Sequence, residues 1–177
     1  DLGLVPTSEP YKKRTAQGLI LGPDGEKMSK SRGNVIDPLT VIADYGADTL
    51  RTYILFMGDY AIECPWNDDA IKGVNRFLDR VYNLKERVVE GDFSSSLESQ
   101  IHKCIKKVSN DIEAMKFNTA IAELMKLVNA YYEKDIITTS DYEVLIKLLY
   151  PFAPHITEEL NETVLHKTSL VYSSYPT

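Results

Sequence analysis

From Val74 to Leu160 apolar residues recur at intervals of three and four, and this run of stripes constrains the fold more than any other property of the chain. Val74, Phe77, Leu78, Val81, Leu84 and Val88 share one helical face, closed by Gly91. Leu97, Ile101, Ile105, Val108, Ile112 and Met115 form a second stripe, and Ile121, Leu124, Leu127, Val128 and Tyr131 a third after Asn118. Tyr142, Leu145, Leu148 and Leu149 make a fourth, which Pro151 and Pro154 bend or end before another turn or two through Leu160. Side chains three and four apart lie on one face of a 3.6-residue helix, so each stripe is a surface that another must cover. Four amphipathic helices imply a bundle. The stripes are read as scaffold, and residues 92–100, with Ser94, Ser95 and Ser96, as a loop between helices.

The first third follows a different grammar. Pro6 and Pro10 break the opening segment, and Gly18 to Leu21 is expected to be a short buried strand. Pro23, Asp24 and Gly25 then mark a turn. Asp37 offers a side-chain oxygen to a helix start, Pro38 suits the first helical position, and Gly46 falls just beyond the end. A second helix is expected to start at Asp48 as its cap, present Leu50, Tyr53, Ile54 and Met57, and stop near Gly58. Residues 59–66 lack periodicity and read as a connector, which places the domain boundary between 1–66 and 67–177.

Composition sets limits on what the chain does. With 177 residues, 44% of them hydrophobic, it can bury a proper core. A net charge of −6 argues against nucleic-acid binding by bulk charge. Yet residues 10–33 carry a local +4, from Lys12, Lys13, Arg14, Lys27, Lys30 and Arg32 against Asp24 and Glu26. Cys64 and Cys104 stand apart, suggesting neither a disulfide framework nor zinc, and a reducing cytosol fits. No apolar stretch nears the length of a membrane span, and the N-terminus lacks a signal pattern, so no membrane role is expected. His102, His155 and His166 are too dispersed to suggest a site, and no metal-ligating set is assigned. Asp44, Asp48 and Glu63 are not assigned as acids, and Trp66 is expected to pack at the domain junction. Lys103, Lys106, Lys107 and Lys116 form a candidate basic helix face.

Chemistry concentrates in Lys27-Met28-Ser29-Lys30-Ser31. Two ammonium groups three residues apart, beside two small hydroxyls in a segment flanked by Gly25 and Gly33, suit a polyphosphate. The order of strand, turn and basic loop puts these cations beyond a strand end, where open α/β sheets hold nucleotides.

Lys27 to Pro38 matches the KMSKS signature of class I aminoacyl-tRNA synthetases, and Asp44 to Arg51 resembles the segment that follows it in members activating leucine, isoleucine and valine. Glu9-Pro10-Tyr11 with Gln17-Gly18, Trp66 with Gly73-Val74 and Arg76-Phe77-Leu78, and Phe117 to Ala120 are most similar to the leucyl branch. Tyr150 to Leu160 resembles that family's helical tRNA-binding domain. The chain departs from the leucyl pattern at Arg14-Thr15, where two apolar residues are usual, and near Asn161-Glu162, where a Trp is common. It also contains no HIGH-like motif, so it is expected to be a C-terminal portion of a larger enzyme and inactive alone.

The resemblance implies a mainly α fold: the remnant of a Rossmann-type catalytic domain followed by an antiparallel helix bundle of the anticodon-binding kind. It implies a cytoplasmic leucine–tRNA ligase that uses ATP and Mg2+, with L-leucine, tRNA(Leu) and the remainder of the catalytic domain as partners. Lys30 is then the main contact on the pyrophosphate side, and Lys27 holds the loop or assists the triphosphate. Ser29 and Ser31 donate to phosphate or tie the loop to itself, and Met28 packs beneath it. The alternatives are a noncatalytic tRNA-binding or helical interaction module, and a synthetase for isoleucine, valine or methionine.

Overall fold

The computed structural model describes residues 3–9 and 11–176; Pro10, expected to break the opening segment, lies outside the described residues. The elements run β1 (Ile20–Leu21), α1 (Pro38–Tyr45), α2 (Ala47–Phe56), β2 (Cys64–Pro65), α3 (Asp68–Asn83), β3 (Val88–Val89), α4 (Glu98–Glu113), α5 (Phe117–Tyr132), β4 (Ile137–Thr138), α6 (Thr139–Leu149) and α7 (Pro154–Thr163). The fold is mainly helical, as the stripes require. None of the described helices is long and apolar enough to cross a membrane.

Helix starts follow local chemistry where a polar side chain is free to bend back. Asp37 accepts the Leu39 N–H at 2.9 Å with Pro38 in the first turn of α1, and α1 ends at Gly46, as the sequence suggests. Asn67 caps α3 through the N–H groups of Asp69 and Ala70, while Asp68 and Asp69 place negative charge at its positive end. Asp48 breaks the pattern. It lies inside the first turn of α2, whose cap is Gly46, and its carboxylate instead accepts the Ile156 N–H at 2.7 Å, capping α7 from across the molecule.

Two strand pairs lie where the sequence shows little. β1 pairs in parallel with β2, setting Ile20 opposite Cys64 and Leu21 opposite Pro65. The stretch 59–66 is thus more than a connector, and a two-residue strand is too short to show an alternating pattern. β1 itself is half-buried instead of buried. Val88 leaves the first helical stripe: a 3-10 turn over Leu84–Arg87 ends the helix, and β3 pairs in parallel with β4. Met115 leaves the second stripe, because α4 ends at Glu113 and Met115 turns the chain toward α5 at φ 59°.

Two apolar clusters organise the rest. The larger fills the bundle of α3 to α7 with residues such as Val81, Ile105, Leu124, Leu145 and Leu160. The smaller contains Val41, Leu50, Tyr53, Trp66, Ile71 and Val74. Helix α3 serves both, with Ile71 and Val74 in the smaller and Phe77, Leu78 and Val81 in the larger. Trp66 packs edge-on to Tyr53 at 4.9 Å between centroids and donates its Nε1–H to Asp68 at 2.8 Å. Its indole is committed to that packing. Cys104 is buried in the larger cluster, and burial pushes its thiol up to about 12, so it behaves as a small apolar residue.

Gly18 explains how the small sheet closes. Its N–H donates to the Tyr60 carbonyl at 2.9 Å, and an added Cβ would lie 2.1 Å from the Ile62 carbonyl oxygen. Gly18→Ala is therefore expected to force β1 and β2 apart and cost about 2 kcal/mol; urea denaturation of the two forms measures it, and equal midpoints would contradict the contact.

Candidate nucleotide-phosphate site

The loop begins as a tight reversal at the end of β1. Gly22 N–H donates to Glu26 O at 2.8 Å, Gly25 N–H returns to Gly22 O at 2.9 Å, and Leu21 bridges Lys27 in antiparallel fashion. Gly25 takes φ 76° at this reversal, in the left-handed region that favours glycine. Beyond it Lys30 to Arg32 form one 3-10 turn, which Gly33 ends at φ 68° with its N–H on Lys30 O.

Asn34 holds these pieces together. Its Nδ2 donates to both carboxylate oxygens of Asp24 at 3.1 Å and to Lys27 O at 3.3 Å, and its Oδ1 accepts the Ser29 N–H at 2.8 Å. One amide thereby ties the turn before the motif to the backbone within it. In the sequence Asn34 stands out only as part of the matched segment Lys27 to Pro38, because a partner ten positions away leaves no local signal. The Asn34 hydrogen bonds, then the Glu26 N–H, hold the Asp24 carboxyl below its ordinary value.

The five motif side chains divide into anchor and display. Met28 is half-buried and packs against the smaller cluster, fastening the loop to α1, α2 and α3. The Ser29 and Ser31 hydroxyls lie 2.8 Å apart and bond each other. Lys27 and Lys30 are exposed, and among the described residues no carboxylate comes within ion-pair distance of either. Arg32 does pair, with Glu26 at 3.4 Å, but both ends are more than half exposed and such a pair is worth little. Two exposed cations on a pinned base, with Ser29 between them and a 3-10 turn starting at the second, are chemically suited to meet an anion.

Other candidates resolve differently. Lys103, Lys106, Lys107 and Lys116 are exposed on α4 and the turn after it, but Lys107 pairs with Asp111. Burial alone would raise the Asp111 carboxyl; hydrogen bonds from Lys107 and Thr119 outweigh it and hold the group below its ordinary value. His155 lies against Asp48, a pairing the sequence analysis did not anticipate. A cavity of about 460 Å³ lies between α4 and α6, lined by Phe93, Ile101, His102, Val144 and Tyr175 and by none of the loop's residues.

Comparison with known proteins gives a consistent picture. Residues 4–67 match the family model for class I tRNA synthetases (I, L, M and V), and residues 95–177 that for the anticodon-binding domain of tRNA ligase. The chain is 48% identical over 177 residues to a leucine–tRNA ligase of Alkaliphilus oremlandii, covering 99% of itself and 22% of that protein. With a leucine–tRNA ligase of Chlorobaculum tepidum the identity is 45% over 183 residues, covering 99% and 23%. A crystal structure of the Agrobacterium radiobacter K84 agnB2 LeuRS in ternary complex with tRNA and LeuAMS superposes with a TM-score of 0.88 at 31% identity, covering 99% of this chain and 26% of that one. The chain thus spans less than a quarter of the length of the curated relatives it matches.

Asn34→Ala should release both the turn and the Ser29 N–H, seen as faster amide exchange at Glu26 and Ser29 while the helices keep theirs. The pH dependence has a definite sign. Because the Asp24 carboxyl is lowered on folding, its contribution to loop order is complete above the unfolded value, about 3.9, and is lost as pH falls through the lower folded value. Amide shifts of Glu26 and Ser29 should therefore stay constant from pH 7 to about 5 and move only below about 4; movement near neutrality would contradict the Asp24 assignment.

Proposed function

The chain belongs to the class I tRNA synthetases, most like the leucine–tRNA ligases, and we propose that it supplies the phosphate-gripping loop and the tRNA-binding helices of an enzyme that joins L-leucine to tRNA(Leu) using ATP. The observation that carries this reading is the pair of exposed ammonium groups of Lys27 and Lys30, with no carboxylate partner among the described residues, on a loop whose base is held by Met28 and Asn34. Leucine as the amino acid, over isoleucine, valine or methionine, is supported by identity along the whole chain to leucine–tRNA ligases.

In adenylate formation a leucine carboxylate oxygen attacks the α-phosphorus of ATP, a new O–P bond forms, and the bond to the pyrophosphate oxygen breaks. Negative charge accumulates on the departing oxygens. A lysine that meets this charge more closely in the transition state than in the bound substrate lowers the barrier and transfers no proton. Lys30 takes the pyrophosphate side, because it opens the 3-10 turn and is exposed, and its stem is long enough to follow a moving phosphate. Lys27, itself bridged to Leu21, holds the triphosphate nearer the sheet. Ser29 and Ser31, now bonded to each other, exchange that bond for phosphate oxygens at little cost.

Magnesium accompanies ATP in this family's chemistry. Among the described residues no group of His, Cys, Asp and Glu is arranged to hold a metal ion, so no step here is assigned to it. The division of labour falls at residue 66, with 1–66 forming the tail of the catalytic domain and 67–177 the tRNA-binding bundle. Lys103, Lys106 and Lys116 present cations for tRNA phosphates on that bundle. The place of action is the cytoplasm, with ATP and tRNA.

Lys30→Ala in the full-length ligase containing this chain should reduce leucine-dependent ATP–pyrophosphate exchange by roughly a hundredfold while leaving the KM for leucine within about twofold. An unchanged exchange rate would remove Lys30 from the role, and absence of leucine-dependent exchange in the unaltered enzyme would remove the function.

A further inference from the structure

Helix α2 grips the turn between α6 and α7 with one edge. Asp48 is only 8% exposed, and its Oδ1 accepts the His155 Nδ1–H at 2.7 Å while its Oδ2 accepts the Ile156 N–H at 2.7 Å. One turn along the same edge Arg51 donates to the Pro151 carbonyl at 3.4 Å and Thr52 to the Phe152 carbonyl at 3.5 Å, two longer and weaker contacts. Asp48, Arg51 and Thr52 are spaced three and four apart, which places them together on the helix.

Helix α7 needs this outside help. Its cap position is Ala153, which has no polar side chain, and its first residue is Pro154, which has no N–H. One orphan donor of the first turn, the Ile156 N–H, is thus met by a carboxylate from a different helix, and the α7 dipole favours that charge. Burial keeps water from competing for the bond.

Other side chains of α2 point at the loop's foundation. Leu50 and Tyr53 belong to the smaller apolar cluster, and Met28 of the loop packs against that cluster. A ten-residue α-helix is a stiff rod of about 15 Å, so what is fixed to one edge is fixed relative to the other.

We infer that Asp48 is a positioning residue: by capping α7 across the junction it sets the angle at which the helix bundle, and a tRNA lying on it, meets the Lys27–Ser31 loop. The inference rests on the function proposed above. Asp48 touches neither the motif lysines nor the serines, so its loss falls on the step that needs tRNA and loop together, and spares activation of leucine without tRNA.

The test compares Asp48→Ala and Asp48→Asn with the unaltered full-length ligase, measuring pyrophosphate exchange without tRNA and aminoacylation with it. Asp48→Ala is expected to keep exchange within about twofold and lower kcat/KM for tRNA about tenfold, mainly through KM. Asp48→Asn still accepts the Ile156 N–H and should recover most of that loss. Equal losses in both reactions, or none in either, overturn the inference. Should the unaltered enzyme show no leucine-dependent exchange, the proposed function fails on its own account. Amide exchange at Ile156 in this chain then tests the cap separately: a rise of about tenfold in Asp48→Ala supports it, and no rise overturns it.

Discussion

Tyr53 is fully buried, and the organisation of the N-terminal part follows from where its ring and hydroxyl go. The ring meets Trp66 edge-on, and the hydroxyl accepts the N–H of Asn67, the residue that caps α3. Burial pushes the phenol up despite that hydrogen bond, so the group stays neutral at any physiological pH. An aromatic side chain of this size removes on the order of 200 Å² from water, a gross gain of about 5 kcal/mol. Around it gather Val41, Leu50, Ile71 and Val74, which bring α1, α2 and α3 together. Without that cluster Met28 would have nothing to pack against, and the motif loop would have no floor.

The loop joins two requirements that oppose each other. A loop that is to meet an anion, as proposed here, must expose charge, which leaves it few contacts with which to hold a shape. The structure separates the tasks by residue: Met28 uses apolar packing, Asn34 uses four hydrogen bonds, and Lys27 and Lys30 stay exposed with no ion-pair partner among the described residues. Positive φ at Gly25 and Gly33 lets the chain reverse on each side without steric cost. The cations are thus carried on a short segment pinned at its root, so their starting position is defined.

Much of this was legible because the chemistry is local. The Asp37-Pro38 start and Gly46 stop of α1 follow from backbone donors that lie within reach of their own neighbours. The stripes of α4, α5 and α6 follow from helical periodicity, and their burial agrees with it. Most departures share one cause. Val88 and the stretch 59–66 differ from expectation where a segment's conformation depends on a distant partner: β4 for Val88 and β1 for Cys64. Asp48 is the clearest case, since a carboxylate at a helix start is expected to cap its own helix. A partner more than a hundred residues away took it instead.

The sequence by itself determined that the chain is mainly helical, that its charge collects at Lys27-Met28-Ser29-Lys30-Ser31, and that this motif resembles that of class I synthetases. Periodicity, capping and a five-residue motif are written in neighbouring positions, and neighbours interact whatever the rest of the chain does. Only the tertiary structure decided that Asn34 would pin the loop, that α3 would serve two cores, and that Asp48 would cap α7. Each of those depends on which donors and apolar faces remain unmet once the helices have packed, and that is a property of the packed chain as a whole.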